Sequence, residues 1–130
     1  MNRVVEELKK LKLFYIATVE GDQPRVRPFS SITEFEGRPC ICCGNQKQVY
    51  KQMMENPKIE LCGMSDNGSW IRVSATAVRD ERIEAQEAML NDPTGPSQLY
   101  KAGDSRFEVF KLENVKAIKC NFYGSPEEIK

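Results

Sequence analysis

Apolar positions in this chain alternate with polar ones more often than they recur every three or four residues, and alternation marks a strand with one buried face. The exception at the start is residues 3–12, where Val4, Val5, Leu8 and Leu11 fall at helical spacing and leave Lys9, Lys10 and Lys12 outside. Residues 13–19, rich in aromatic and β-branched side chains, predict a strand; Glu20-Gly21-Asp22 turns it into a second extended segment over 24–35. Glu36-Gly37-Arg38 turns again into a short strand, 39–43. Asn45, with Gln48 three residues on, resembles a capping box for a helix that Asn56-Pro57 ends, since a residue before proline leaves the helical region. Residues 59–64 and 69–79 form a hairpin about Asp66-Asn67-Gly68. In its second arm Ile71, Val73, Ala75 and Ala77 share one face, while Trp70, Arg72, Ser74 and Thr76 share the other. A surface helix over 81–91 stops at Asp92-Pro93, Thr94-Gly95-Pro96-Ser97 is loop, two strands follow over 107–112 and 115–123, and the tail is polar. Many short strands with three helices favour a mainly β fold, a closed antiparallel barrel with appended helices, over a parallel α/β sheet.

At 130 residues the chain fits one domain, residues 1–130. Lysine plus arginine equals aspartate plus glutamate at 19 each, so no global field recruits nucleic acid or an anionic membrane, and any anion binding must be local. No apolar run approaches the roughly 20 residues of a membrane span, and the first residues lack the apolar core of a signal peptide, which together predict a cytoplasmic protein. Five cysteines then read as reduced thiols; the spacing of Cys40, Cys42 and Cys43 is not that of a zinc site, and no metal is expected. There is no histidine, which removes the commonest general base and the favoured nitrogen ligand of zinc. If the chain is an enzyme, a bound organic cofactor is the natural carrier of the chemistry.

Candidate chemistry concentrates where Pro24-Arg25-Val26-Arg27-Pro28 approaches, one hairpin later, the helix that opens near Lys47. Arg25 and Arg27, two apart on a strand, point the same way. A lysine in the first turn of a helix opposes the macrodipole unless an anion sits there and accepts bonds from the free backbone N–H groups. With Gln48 at the helix start, these residues make a phosphate cradle. Trp70, beginning a strand with Arg72 on the same face, can wall a flat aromatic ligand. The mixed face they share with Ser74 and Thr76 predicts a homodimer.

Three stretches, 14–29, 44–61 and 68–75, stand in the order and spacing of the split-barrel flavin-binding proteins of the pyridoxamine 5′-phosphate oxidase superfamily, and nearly the whole chain resembles the short branch related to nitroimidazole-resistance proteins. The resemblance implies FMN bound at a homodimer interface with both subunits contributing. By position, Arg25, Val26, Arg27, Pro28, Phe29 and Ser30 would run along the flavin and its phosphate. Lys47 and Gln48 would face the phosphate, Cys42 and Cys43 would take places where oxidase relatives have tyrosine and threonine, and Trp70 with Arg72 would meet the flavin edge. The implied activity is electron transfer through the flavin from a nicotinamide donor to a small-molecule acceptor, nitro compounds among them. The alternatives are a flavin-binding sensor or carrier without turnover, and a deazaflavin-dependent reductase.

Overall fold

A computed structural model describes residues 2–130. The chain runs α1 (Arg3–Lys9), β1 (Phe14–Glu20), β2 (Gln23–Phe29), β3 (Thr33–Phe35), β4 (Arg38–Gly44), α2 (Gln48–Glu55), β5 (Lys58–Met64), β6 (Trp70–Asp80), α3 (Ile83–Asn91), β7 (Phe107–Cys120) and β8 (Glu127–Ile129). All strands join one antiparallel sheet in the order β2-β1-β5-β6-β7-β4-β3, with β8 added along β7. The mainly β, antiparallel fold expected from alternation is the one observed.

Alternation decides which side chains meet. Ile16 on β1 and Ile41 on β4 belong to one buried cluster, with Leu61 on β5, Val73 on β6 and Leu112 on β7 between them, although β1 and β4 stand at opposite ends of that run of strands, so the sheet curls around them. Val4, Val5 and Leu8 of α1 close one part of that core, and Val49 and Met53 of α2 close another. On β4 the neighbours of Ile41 point the other way: Cys40 and Cys42 pack with Phe107, Val109 and the α3 residues Ala85 and Met89 in a second cluster. The start of β7 is therefore covered on both faces, which is why Phe107, Glu108, Val109 and Phe110 are all buried.

Several expected boundaries move, each for a physical reason. The segment 24–35 is two strands rather than one, because Ser30–Ile32 turns to the loop after α3 for its partners: Ser31 Oγ donates to the Thr94 carbonyl (2.6 Å), and Ile32 N–H donates to Thr94 Oγ1 (3.0 Å), which donates to the Ile32 carbonyl (2.9 Å). The two terminal strands are one, β7; Glu113-Asn114 is a bulge with Asn114 at φ 52°, a conformation asparagine tolerates, and the β6 register shifts opposite it between Ser74 and Thr76. The polar tail supplies β8, and it buries Ile129. Helix α1 ends at Lys9, before Leu11 and Lys12. The capping box is absent: the N-cap of α2 is Lys47, which makes no side-chain bond to the first turn. Asn45 Nδ2 instead donates to the Ser105 carbonyl (2.7 Å) and to Glu108 Oε2 (2.8 Å), fixing the turn between β4 and α2 to β7.

Candidate functional site

The end of β2, the end of β4 and the start of α2 converge on a cavity of about 430 Å³. Arg27, Pro28 and Phe29 line it from β2, Ser30 and Ser31 continue from the connection, Cys42, Cys43 and Gly44 come from β4, Lys47, Gln48 and Val49 from α2, and Pro96 from the loop after α3. At Gly44 the backbone is approached by the ends of two flexible side chains, 2.5 Å from a Cβ position to the Tyr100 hydroxyl and 2.6 Å to Gln46 Oε1. Gly95, just before Pro96, is required, because its Cβ would lie 1.9 Å from the Met89 carbonyl oxygen.

Eight of the residues named from sequence meet at this cavity: Arg27, Pro28, Phe29, Ser30, Cys42, Cys43, Lys47 and Gln48. Four do not line it. Arg25 shares a strand face with Arg27 but is paired with Glu20, Nη2 to Oε1 at 2.9 Å. Val26 points to the opposite face and is 67% exposed. Trp70 lies against Phe122, ring centroids 4.8 Å apart, and Arg72 faces Glu60 at 3.5 Å. The sequence reading missed Ser31, Gly44, Val49 and Pro96, and missed the two buried side chains that hold Arg27, Thr18 and Gln52. Gln52 did leave a signal: it is a polar residue inside the buried stripe Val49, Gln52, Met53 of α2.

The electrostatics of the cavity are uneven. Neither Arg27 nor Lys47 has a carboxylate within ion-pair distance among the described residues. Burial, and next the like charge of Arg25, lowers Arg27 from its usual pKa, yet a guanidinium stays charged at neutral pH. Lys47 sits as N-cap rather than inside the first turn, beside backbone N–H groups that no side chain caps. Two cations and an open helix start thus face one space that is otherwise walled by Pro28, Phe29, Val49 and Pro96. Burial pushes the thiols of Cys42 and Cys43 up to about 12, so both are neutral thiols and neither is a ready nucleophile or metal ligand.

A single curled antiparallel sheet with a cavity at the junction of two strand ends and one helix start defines the class. Residues 1–119 match the family model described as pyridoxamine 5'-phosphate oxidase, and the chain belongs to that family. Within it the chain stands with the nitroimidazole-resistance-related branch. A NimC/NimA family protein from Clostridium acetobutylicum is 39% identical over 98% of this chain and 89% of its own, with a TM-score of 0.92. More distant structures share the fold: a putative pyridoxamine 5'-phosphate oxidase from Listeria innocua (17% identity, 88% of this chain and 94% of that one, TM-score 0.68), and a pyridoxamine 5'-phosphate oxidase-related, FMN binding protein from Nostoc punctiforme (14% identity, 98% and 94%, TM-score 0.66). A comparison with curated proteins finds no match. Among the described residues no helix is long and apolar enough to cross a membrane.

Proposed function

We propose that this chain is an FMN-binding oxidoreductase that acts as a homodimer in the cytoplasm and passes electrons from a nicotinamide donor to a small-molecule acceptor. The observation that carries the reading is the uncompensated pair Arg27 and Lys47 at an uncapped helix start, on one cavity. The residues fit the group. A phosphate would satisfy both cations and the free N–H groups of α2, and Pro28, Phe29 and Val49 offer apolar surface to a ring. FMN, when bound, supplies the redox chemistry. The chain's part is to hold the phosphate with Arg27, Lys47 and the backbone at Gln48, and to keep water from the ring with Phe29 and Pro96.

The homodimer is supported by the outer face of the sheet. Tyr15, Val26 and Met64 lie exposed across β1, β2 and β5, and Trp70 pairs with Met64 on the same face. A second copy seated there would cover them and bring its own Trp70 and Arg72 to a shared site.

The test is a titration of cofactor-free protein with FMN and with riboflavin, alongside the absorption spectrum of whatever cofactor the purified protein carries. Each charge-assisted bond to phosphate is worth about 1.5–3 kcal/mol, so riboflavin should bind at least about tenfold more weakly. Equal affinities would remove the phosphate site, and a deazaflavin spectrum would replace FMN by that cofactor.

A further inference from the structure

Among the described residues, six of the eight arginines pair with a carboxylate; the two that do not are Arg3, which is exposed, and Arg27. Arg27 is nevertheless firmly held. Its Nη1 donates to Thr18 Oγ1 (2.7 Å) and to the Ile16 carbonyl (3.2 Å), and its Nη2 donates to Gln52 Oε1 (2.5 Å). Thr18 Oγ1 itself donates to Gln52 Oε1 (2.6 Å), so guanidinium, hydroxyl and amide close a ring of hydrogen bonds. Gln52 and Thr18 are buried, at 4% and 1% exposure. Every partner of the cation in this ring is neutral.

The first carboxylate in this hydrogen-bond network is one link further on. Gln52 Nε2 donates to Glu20 Oε2 (3.4 Å), which fixes which end of the amide faces Arg27, and Glu20 spends its charge on Arg25. Gln52 therefore joins a carboxylate to the guanidinium through a neutral amide. Nε–H and one Nη2 proton of Arg27 carry no bond among the described residues, and Arg27 lines the cavity.

We propose that Gln52 is a positioning residue that sets specificity for an anionic ligand group: its neutral amide orients Arg27 without cancelling its charge. The inference rests on the phosphate reading of the cavity given above. A glutamate of the same shape in that place would orient the fork equally well and satisfy it internally, so a phosphate would then have to displace an ion pair already made.

The experiment moves one carboxylate by one link. The exchange variant Glu20→Gln/Gln52→Glu keeps the net charge of the chain and avoids setting two carboxylates side by side, which Gln52→Glu alone would do. Cofactor-free wild type and variant are titrated with FMN, riboflavin and inorganic phosphate, and their melting curves are recorded. The expected result is a variant that melts no lower than wild type, binds FMN at least about tenfold more weakly, loses competition by inorganic phosphate, and binds riboflavin within about twofold of wild type. A Thr18→Val variant, which loosens the ring without adding charge, should lose less of the FMN preference than the exchange does. If wild type prefers FMN and the exchange variant keeps that preference, Gln52 is only a packing residue and the inference falls. If wild type itself does not distinguish FMN from riboflavin, the phosphate reading falls first and this inference with it.

Discussion

Arg25 and Arg27 have the same residue type, the same strand and the same face, yet the structure gives them different fates. Thr18 stands across from Arg25 in the hairpin register, and the carboxylate of Glu20, two residues further along β1, reaches Arg25; Arg27 lies across from Ile16, where it finds only neutral partners. Arg27→Met should therefore weaken FMN binding by about 1.5–3 kcal/mol with a much smaller effect on riboflavin, while Arg25→Met leaves both affinities essentially unchanged; isothermal titration of both variants checks this. The two arginines were indistinguishable in sequence because what separates them is a partner on another strand. The thiols make a second residue-scale prediction. Burial raises Cys42 and Cys43 to about 12, whereas an unfolded cysteine ionises at about 8.5. Their contribution to stability is therefore complete below about pH 8.5 and is lost as pH rises toward about 12, because above pH 8.5 the unfolded chain releases protons that the folded one keeps. Urea midpoints measured from pH 8 to 11 should fall steadily, and Ellman's reagent at pH 8 should leave Cys42 and Cys43 unmodified until the chain is unfolded.

At the scale of elements, α2 is the informative case. Its stop at Asn56 follows from Pro57 and was readable in the chain, and its buried stripe follows from spacing. Its start was not, because Asn45 had two ways to be satisfied, and Glu108 on β7 offered a better one than the helix. Lys47 is left as an N-cap with no side-chain acceptor for the first-turn N–H groups but with its charge at the cavity. Lys47→Ser supplies the missing acceptor, so the cofactor-free protein should gain about 0.5–1 kcal/mol, while FMN binding weakens by about 1–2 kcal/mol and riboflavin binding stays. Thermal melts with and without each flavin separate the two effects by their opposite signs. A lower melting temperature in the cofactor-free variant would mean that Lys47 supports the fold instead.

For the whole molecule, the curled sheet has an inner face packed around one core from β1 to β4 and an outer face that carries exposed apolar side chains. Val26, Tyr15 and Met64 are 67%, 46% and 55% exposed, and alternation puts them on the side away from the core. Val26→Glu should cost the isolated chain almost nothing, since the side chain already stands in solvent. In a homodimer built on this face it would bury an unpaired charge. Light scattering should give a dimer mass for wild type and a monomer mass for Val26→Glu, with flavin binding reduced in the variant. A dimer mass for both would move the interface off this face.

By itself the sequence determined the strand-rich class, the split between inward and outward side chains on the strand that begins at Trp70, and the cluster of arginine, lysine and glutamine around one hairpin and one helix start, because these depend on a period of two or on neighbours within a turn. The tertiary structure alone decided what depends on contacts between distant segments. Ser31 and Ile32 leave the sheet because Thr94 answers their polar groups; β7 runs through Asn114 because β6 shifts register opposite it; Ile129 is buried because β8 finds an edge of β7. The charge of Arg27 stays free because Gln52, 25 residues away in sequence, is an amide and not a carboxylate. Local periodicity says which way a side chain points, but only the fold says what it meets there.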